Sequence, residues 1–202
     1  MIDKIENQAC LRNQEPIYQA LKPWLISGGS LVELASGTGQ HGVYIAKRLP
    51  KLDWQLTEHP DNLLLSQPWF QDAVLPNLKP PQALNIDDAP WSLPLTSFDF
   101  AYCANLLHFV STQTVSHLFS GVSAVLKPKG LVFCYGPINE DGYTSEGNAS
   151  LDNWLRTEVN PHAGIKELNW LIDQAENEAL VFKQRLNLPA NNVILVFEKG
   201  HH

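Results

Sequence analysis

A glycine-rich segment in the first quarter of the chain has the spacing of a cofactor-binding loop. Its residues, Gly37-Thr-Gly-Gln-His-Gly42, match Gly-x-Gly-x-x-Gly and lie between an apolar run at 30–35 and a helical pattern that begins at Gln40. Glycines at this spacing let the backbone turn sharply and approach a ligand closely, and the helix that follows offers free N–H groups. The segment predicts a nucleotide-like cofactor without selecting one. The alternative is a turn that only links a strand to a helix.

Acidic residues on either side of this segment narrow the choice of cofactor. Glu33 lies four residues before Gly37, where a carboxylate repels a pyrophosphate and attracts an ammonium group. Methyltransferases with a doubly wound sheet typically carry an acidic residue there, so Glu33 favours S-adenosylmethionine over a dinucleotide. Glu58 follows the loop by about 20 residues and is predicted to accept hydrogen bonds from ribose hydroxyls of either cofactor, the alternative being a solvated charge. The predicted cofactor site also includes Ala35, Ser36, Gly37, Thr38 and Gly39.

Two further segments carry candidate cofactor ligands. Ile86 and Asp87 come at the end of the third predicted strand, at 82–86. In methyltransferases an Asp there commonly meets the adenine amino group, with an apolar neighbour against the ring; a turn-forming Asp before Pro90 is the alternative. Arg12 and Asn13, near the N-terminus, are candidates to bind the cofactor's carboxylate or an acidic acceptor, because guanidinium matches carboxylate geometry. An exposed arginine without a partner is equally consistent with the sequence.

Candidate acceptor-binding residues follow the fourth and fifth predicted strands. In a doubly wound sheet the ligand lies at the carboxyl ends of the strands near the switch point. Asn105 is therefore placed beside the cofactor, and His108, Tyr135, Tyr143 and Ser145 are placed around the acceptor. His108 is the candidate base, because imidazole takes up a proton near neutral pH. The alternative is that His108 is only a hydrogen-bonded neighbour of the pocket.

The pattern of elements predicts an α/β fold in which helices and strands alternate. We expect a doubly wound, Rossmann-like sheet of seven mostly parallel strands, ending in an antiparallel C-terminal hairpin at 179–188 and 193–198. Residues 136–150, rich in Gly, Asn and Ser, are predicted to form a long loop. One domain over residues 1–200 is expected, with an N-terminal cap helix within about 8–27. His201 and His202 are interpreted as the remnant of a purification tag.

Composition and charge favour a small-molecule acceptor. The chain has 14 Lys plus Arg against 21 Asp plus Glu, a net charge of -7, and its basic residues are scattered, which argues against a nucleic-acid partner. Enzymes that methylate a pyrimidine carbon through a cysteine adduct have Pro before the cysteine, whereas Tyr102 precedes Cys103 here. Enzymes that methylate amino groups of nucleic acids commonly have Pro-Pro and an aromatic residue after an Asn or Asp, and no such segment follows Asn105.

The cysteine spacing predicts no metal site. Without a run of about 18 apolar residues, we expect a cytoplasmic protein and no membrane partner. The sequence does not indicate an oligomeric state.

Taken together, these motifs resemble the methyltransferase-like 26 family of S-adenosylmethionine-dependent methyltransferases. The matching residues are Arg12-Asn13, Glu15-Pro16-Ile17, Leu34-Ala-Ser-Gly-Thr-Gly-Gln-His41, Cys103-Ala-Asn-Leu-Leu-His108, Leu126-Lys-Pro with Gly130, Tyr135-Gly-Pro137, Thr144-Ser-Glu146 with Asn148, and Pro189-Ala-Asn-Asn192. The resemblance covers essentially the whole chain and implies a class I methyltransferase fold and S-adenosylmethionine as cofactor. The chain departs from the family pattern at Glu58, in place of Asp, and at Leu106-Leu107, in place of Met-Ile. The family implies no particular substrate.

Three functional hypotheses follow from the sequence. The first is a methyltransferase that acts on a small molecule by in-line transfer of the methyl group. The second is a non-catalytic module that binds S-adenosylmethionine or S-adenosylhomocysteine. The third is a nicotinamide-dependent oxidoreductase, which Glu33 and the absence of a Tyr-x-x-x-Lys motif disfavour.

Overall fold

The fold is built on one central sheet. Its strands are β1 (Gly29–Leu34), β2 (Leu52–Glu58), β3 (Leu78–Ala83), β4 (Phe98–Ala104), β5 (Leu126–Pro137), β6 (Leu180–Asn187) and β7 (Asn192–Lys199). Residues 3–200 are the part of the chain that the computed structural model describes, and within them the sheet order is β3-β2-β1-β4-β5-β7-β6. Neighbours among β1 to β5 pair in parallel, whereas β7 pairs antiparallel with both β5 and β6. The predicted fold class is confirmed, and the interpretation of His201 and His202 lies outside the described residues.

Helices cover both faces of the sheet. They are α1 (Gln8–Leu25), α2 (Gln40–Ala46), α3 (Gln67–Ala73), α4 (Thr112–Val125), α5 (Glu146–Trp154) and α6 (Leu168–Glu176), with a 3-10 turn at Pro60–Leu65 and a π-helical turn at Leu155–Val159. Helices α1 and α2 contribute buried side chains to one core cluster, whereas α4 and α6 contribute to the cluster on the opposite face. No described helix combines the length and the apolar character needed to cross a membrane.

The order of the strands creates a switch point between β1 and β4. From β1 the chain proceeds outward through β2 to β3, and it then returns to place β4 on the other side of β1. Connections therefore leave β1 and β4 toward opposite faces, and a crevice opens between them at the carboxyl ends of the strands. The glycine segment follows β1, and Asn105 follows β4 directly. The sheet thus brings these two segments to the same crevice.

The third strand lies earlier in the chain than its predicted position at 82–86, so that prediction was wrong. The observed β3, Leu78–Ala83, contains Pro80 and Pro81, residues that disfavour a strand assignment from sequence. Within the sheet β3 pairs with β2 and forms one edge, where a missing N–H is tolerated. Residues 84–87 therefore lie beyond the end of β3, where they can line a crevice.

The predicted long loop at 136–150 contains the start of a helix, and this part of the prediction was wrong. Helix α5 begins at Glu146, where the Ser145 hydroxyl accepts a hydrogen bond from the backbone N–H of Asn148 at 3.0 Å. Ser145 therefore acts as an N-cap. The apolar periodicity of this segment is weak, with only Asn148 and Asp152 buried in α5, so the sequence offers little sign of the helix.

Candidate functional site

Two cavities lie at the carboxyl ends of the parallel strands. The larger, of about 640 Å³, is bordered by α1, the segment after β4, the end of β5, the start of α5 and the turn between β6 and β7. The smaller, of about 490 Å³, is bordered by Ala35, by the ends of β2 and β3 and by the segment after β4. Phe109 lines both cavities. The crevice at the switch point therefore has two adjoining compartments.

The glycine segment turns sharply between β1 and α2. Ala35, Gly37 and Gly39 have φ values of 52°, 57° and 77°, in the left-handed region that favours glycine. Ala35 carries a Cβ in this region, and backbone strain of this kind clusters at ligand sites. A Cβ added to Gly37 would meet no described atom within 4 Å, so the loop backbone is accessible at this position.

Glu58 links the glycine segment to the smaller cavity. Its side chain is only 5% exposed, and its Oε2 accepts a hydrogen bond from the Gly37 N–H at 2.5 Å. The other oxygen, Oε1, accepts from the His59 N–H at 2.8 Å. A carboxylate oxygen has a second acceptor site, so both atoms can still bind ligand hydroxyls. These two hydrogen bonds hold the Glu58 carboxylate beside the smaller cavity, where it could accept the predicted hydrogen bonds from ribose hydroxyls.

The smaller cavity has apolar walls with polar groups beside them. Leu84, Ile86 and Leu106 line it and are largely buried, which suits a flat ring system. Asp87 also lines it, but its carboxylate accepts from Thr114 Oγ1 at 3.1 Å and contacts His117 Nδ1 at 2.9 Å. The structure brings Ile86 and Asp87 to one compartment, with the oxygens of Asp87 already bound to α4.

Glu33 lies behind the glycine segment and is not among the residues that line either cavity. It is 1% exposed, and its Oε2 accepts a hydrogen bond from Trp54 Nε1 at 2.7 Å. The pKa of Glu33 is raised to about 8: burial and, to a smaller extent, the charge of Glu58 raise it, and these outweigh the hydrogen bond from Trp54, which lowers it. A Cβ on Gly42 would lie 2.8 Å from Glu33 Oε2, so Gly42 allows α2 to pack over this carboxyl group.

Gln40 is a candidate ligand that the sequence prediction did not include. Its Oε1 accepts from the Asn7 N–H at 2.6 Å and from Thr38 Oγ1 at 2.9 Å, whereas its buried Nε2 has no partner among residues 3–200. Buried donors without partners are rare in native proteins and are often completed by a ligand or water. The position of Gln40 inside the glycine motif was the available signal.

His108 lies in the wall of the larger cavity. It is 4% exposed, and its ring forms no hydrogen bond with any residue that the structure describes. The pKa of His108 is lowered to about 4, mainly by burial and to a smaller extent by the nearby Lys166 ammonium. The imidazole is therefore neutral at physiological pH and has a nitrogen lone pair that can accept a proton.

Other predicted residues border the same compartment. Arg12, Asn13, Asn105, Tyr135 and Ser145 all line the larger cavity. Asn105 has a φ of 54°, and its N–H donates to the Tyr135 carbonyl at 2.8 Å, which joins the ends of β4 and β5. Burial raises the pKa of Tyr135, and the amide of Asn13 acts in the opposite direction.

Tyr143 is the predicted acceptor residue that the structure places elsewhere. It is 57% exposed, it is not among the residues lining the larger cavity, and its hydroxyl donates to Asp152 Oδ2 at 2.9 Å. Asp152 also binds Arg156 and the Ile165 N–H, so Tyr143 belongs to a cluster that fastens α5 to the segment after the π-helical turn.

The cavity wall also includes asparagines and a turn that are not among the predicted site residues. Asn7 at the N-cap of α1, Asn148 in α5 and the turn at 189–192 line the larger cavity. The turn reaches it because Asn192, at the start of β7, pairs with Pro137 at the end of β5. Consecutive positive φ values at Ala190 and Asn191, 60° and 56°, form the tight connection that the sequence indicated.

Solved structures with a similar fold include several methyltransferases. Human N-acetylserotonin methyltransferase in complex with S-adenosylmethionine has a TM-score of 0.79 at 15% identity, covering 96% of this chain and 53% of that one. Mitomycin 7-O-methyltransferase MmcR has a TM-score of 0.81 at 13% identity, covering 95% and 54%. An O-methyltransferase family protein from Burkholderia thailandensis has a TM-score of 0.80 at 15% identity, covering 95% and 57%.

These likenesses concern the fold, which is that of class I S-adenosylmethionine-dependent methyltransferases. The chain spans about half the length of the solved structures it matches. The sequence model of a protein family matches residues 4–199, nearly the whole chain, and therefore identifies the family. The chain belongs to the family described as Protein of unknown function (DUF938).

Proposed function

We propose that this chain is an S-adenosylmethionine-dependent methyltransferase that acts on a small molecule. The observation that carries the proposal is the pair of adjoining cavities at the switch point, one beside the glycine segment and Glu58, the other containing His108. One compartment suits a nucleoside, and the other presents a proton acceptor. The fold shared with methyltransferases and the resemblance to the methyltransferase-like 26 family both support this assignment.

The residues present fit the proposed cofactor. Glu58 would bind the ribose hydroxyls, Ile86 and Leu106 would flank the adenine, and Asp87 would lie near its amino group. The unpartnered Gln40 Nε2 would donate to the carboxylate of the methionine part. Glu33 lines neither cavity, so it would act from behind the glycine segment: its buried carboxyl group would ionise when an ammonium group bound at that segment provides a counter-charge.

The cofactor supplies an electrophilic methyl group, and the chain supplies position and a base. Asn105 and Tyr135, joined through the backbone, would orient the acceptor at the ends of β4 and β5. His108 would accept a hydrogen bond from the acceptor and take the proton that the acceptor loses; because a pKa of about 4 makes it a weak base, this transfer would accompany formation of the bond to the methyl group. Helices α1 and α5 would border the bound acceptor on two sides and hold it in line with the methyl group.

Calorimetry with matched glycine variants tests the cofactor assignment. We expect S-adenosylhomocysteine to bind the wild type and NAD not to bind. Gly37→Val should abolish binding, because its side chain would occupy space that the ligand needs. Gly142→Val is the matched control, since Gly142 also has a positive φ, 104°, and a Cβ there would likewise meet no described atom within 4 Å. Circular dichroism should show both variants folded, and retained binding by Gly37→Val would contradict the assignment.

Methyl transfer is tested separately from binding. Labelled S-adenosylmethionine is incubated with the protein and a metabolite extract, and labelled products are counted. Wild type should give labelled products, whereas His108→Asn should reduce their formation by a factor of about 10² to 10⁴ while keeping the affinity for S-adenosylhomocysteine. Cofactor binding without any labelled product would instead identify a non-catalytic binding module.

A further inference from the structure

The charge of the larger cavity is opposite to that of the whole protein. The chain has a net charge of -7, yet none of the described residues that line this cavity is acidic. Arg12 is the one Lys or Arg among them, and the polar remainder includes six asparagines, Asn7, Asn13, Asn105, Asn148, Asn191 and Asn192. An anion inside this compartment therefore meets one positive charge and many amide donors, and no carboxylate of the wall repels it.

Arg12 differs from the other three arginines of the chain in having no partner within the part of the chain that the structure describes. Arg48 donates to the Tyr44 carbonyl, Arg156 pairs with Asp152, and Arg185 pairs with Glu140. Between residues 3 and 200, the Arg12 guanidinium has neither an ion pair nor a hydrogen bond. A guanidinium binds a carboxylate through two parallel hydrogen bonds. Arg12 is thus available to a ligand at the edge of the cavity.

His108 provides a second polar contact in the same cavity and is held there by the backbone. The Gly164 N–H donates to the His108 carbonyl at 2.9 Å, and Lys166 Nζ donates to the Val110 and Gly164 carbonyls at 2.8 and 2.7 Å. These bonds fasten the 108–110 turn to the 164–166 segment, so His108 keeps its place in the wall. A neutral imidazole has one nitrogen that donates and one that accepts a hydrogen bond, and neither has a partner among residues 3–200. The acceptor nitrogen can therefore take a hydrogen bond from a ligand hydroxyl.

We propose that the methyl acceptor is a small hydroxy acid, with its carboxylate bound by Arg12 and its hydroxyl directed to His108. This inference rests on the proposed methyltransferase function. In the reaction, the hydroxyl oxygen forms a bond to the methyl carbon of S-adenosylmethionine, and the carbon–sulfur bond breaks with its electron pair passing to sulfur. The hydroxyl proton passes to His108, and the products are a methoxy acid and S-adenosylhomocysteine.

The carboxylate of the cofactor is the competing ligand for Arg12. Gln40 Nε2, inside the glycine segment, is a buried donor that can bind that carboxylate, which leaves Arg12 for the acceptor. Binding of S-adenosylhomocysteine and of 5′-methylthioadenosine, which lacks the amino-acid part, separates the two assignments. Arg12→Gln should bind both with wild-type affinity. A loss of about tenfold or more for S-adenosylhomocysteine alone would assign Arg12 to the cofactor and overturn the proposal.

The nature of the acceptor is tested by the charge of the labelled products. A deproteinised, nucleic-acid-free metabolite extract is incubated with the protein and methyl-labelled S-adenosylmethionine, and the products are separated by anion exchange. We expect the label in acidic products, and about a tenfold or greater loss of that label with Arg12→Gln. Arg185→Gln is the matched control, because Arg185 pairs with Glu140 and does not line the cavity; it should behave as wild type.

The two proposals fail in different ways. If the labelled products are neutral or basic, the hydroxy-acid inference is overturned while the methyltransferase function stands. If wild type binds S-adenosylhomocysteine but labels no product in any fraction, the proposed transferase function is overturned, and the inference that rests on it falls as well. If acidic products form equally with wild type and Arg12→Gln, Arg12 is not the carboxylate-binding residue.

Discussion

Replacing Glu33 by glutamine is expected to stabilise the ligand-free protein at neutral and alkaline pH. Glu33 is fully buried, and its pKa is raised from an ordinary value of 4.5 to about 8 because burial disfavours the charged form. Glutamine has nearly the shape of a protonated glutamate and keeps an oxygen to accept the hydrogen bond from Trp54 Nε1. The variant therefore removes an ionisable group while retaining its packing.

The magnitude follows from the difference in pKa between the folded and unfolded states. Below pH 4.5 the carboxyl group is protonated in both states, so its contribution to stability is fully present there. Between pH 4.5 and about 8 the unfolded chain ionises while the folded protein stays protonated, and this stability is lost as pH rises. At 1.36 kcal/mol for each pKa unit, the loss reaches about 3 kcal/mol at pH 7 and about 5 kcal/mol at pH 9.

The assay is urea unfolding of wild type and Glu33→Gln from pH 4 to pH 9. The difference in the free energy of unfolding should be small at pH 4 and should grow toward pH 9. Glu176→Gln is the matched control, because Glu176 is exposed at the end of α6. That variant should follow wild type at every pH. A Glu33→Gln variant that is no more stable than wild type at pH 8 would refute a buried, neutral Glu33.

The same variant also tests the proposed effect of the ligand's ammonium group on the ionisation of Glu33. A neutral amide cannot form an ion pair, so Glu33→Gln should bind S-adenosylhomocysteine more weakly than wild type although it is more stable. Calorimetry in buffers of different ionisation enthalpy should further show that the wild type releases protons on binding at pH 7, since the ammonium favours ionised Glu33. Equal affinity and no proton release would place the ammonium away from Glu33.

Three further predictions concern individual side chains. His108 should show no titration between pH 5.5 and 8 by NMR, because its pKa is about 4, and Lys166→Met should raise that pKa. Gly42→Ala should lower the free energy of unfolding by about 1–3 kcal/mol, since its Cβ would lie 2.6 Å from a methyl carbon of Leu56. Asn77→Ala should cost about 1–3 kcal/mol in the same assay, because Asn77 Nδ2 donates to the carbonyls of residues 46, 49 and 52.

For each of these three predictions, a specific outcome would contradict the structural reason given for it. A His108 signal that titrates near pH 6.5 would show an exposed imidazole rather than one buried in the cavity wall. Wild-type stability of Gly42→Ala would mean that α2 does not pack tightly over Glu33 and Trp54. Wild-type stability of Asn77→Ala would show that water or other groups satisfy the carbonyls of residues 46, 49 and 52.

The parts of the fold that the sequence predicts well are those governed by local pattern. The strand before the glycine segment, the helix after it and the C-terminal hairpin follow from apolar periodicity and turn residues in adjacent positions. The position of β3 depends instead on its place at the edge of the sheet, where Pro80 and Pro81 are tolerated. Edge position is a property of the whole topology, which local pattern does not contain.

Some residues of the candidate site can likewise be predicted from local sequence pattern, whereas others depend on the topology of the whole fold. His108 and Tyr135 could be named because they follow predicted strands whose carboxyl ends must meet. Asn148 and the turn at 189–192 reach the larger cavity only through the packing of α5 and the antiparallel register of β7. Glu33 could be recognised as acidic from the sequence, but its enclosure by α2 and Trp54 depends on the close approach that Gly42 allows.

The two prolines in β3 affect how copies of the protein can meet. A proline has no N–H, so Pro80 and Pro81 remove consecutive donors from the outermost strand at one margin of the sheet. A strand of another molecule that approached this margin would find an interrupted ladder. At the opposite margin, β6 carries Lys183 and Arg185, which form ion pairs with Glu198 and Glu140; a strand that paired with β6 would have to accommodate these charged side chains. Both margins therefore discourage continuation of the sheet from one molecule into the next, which protects the protein against aggregation through its strands.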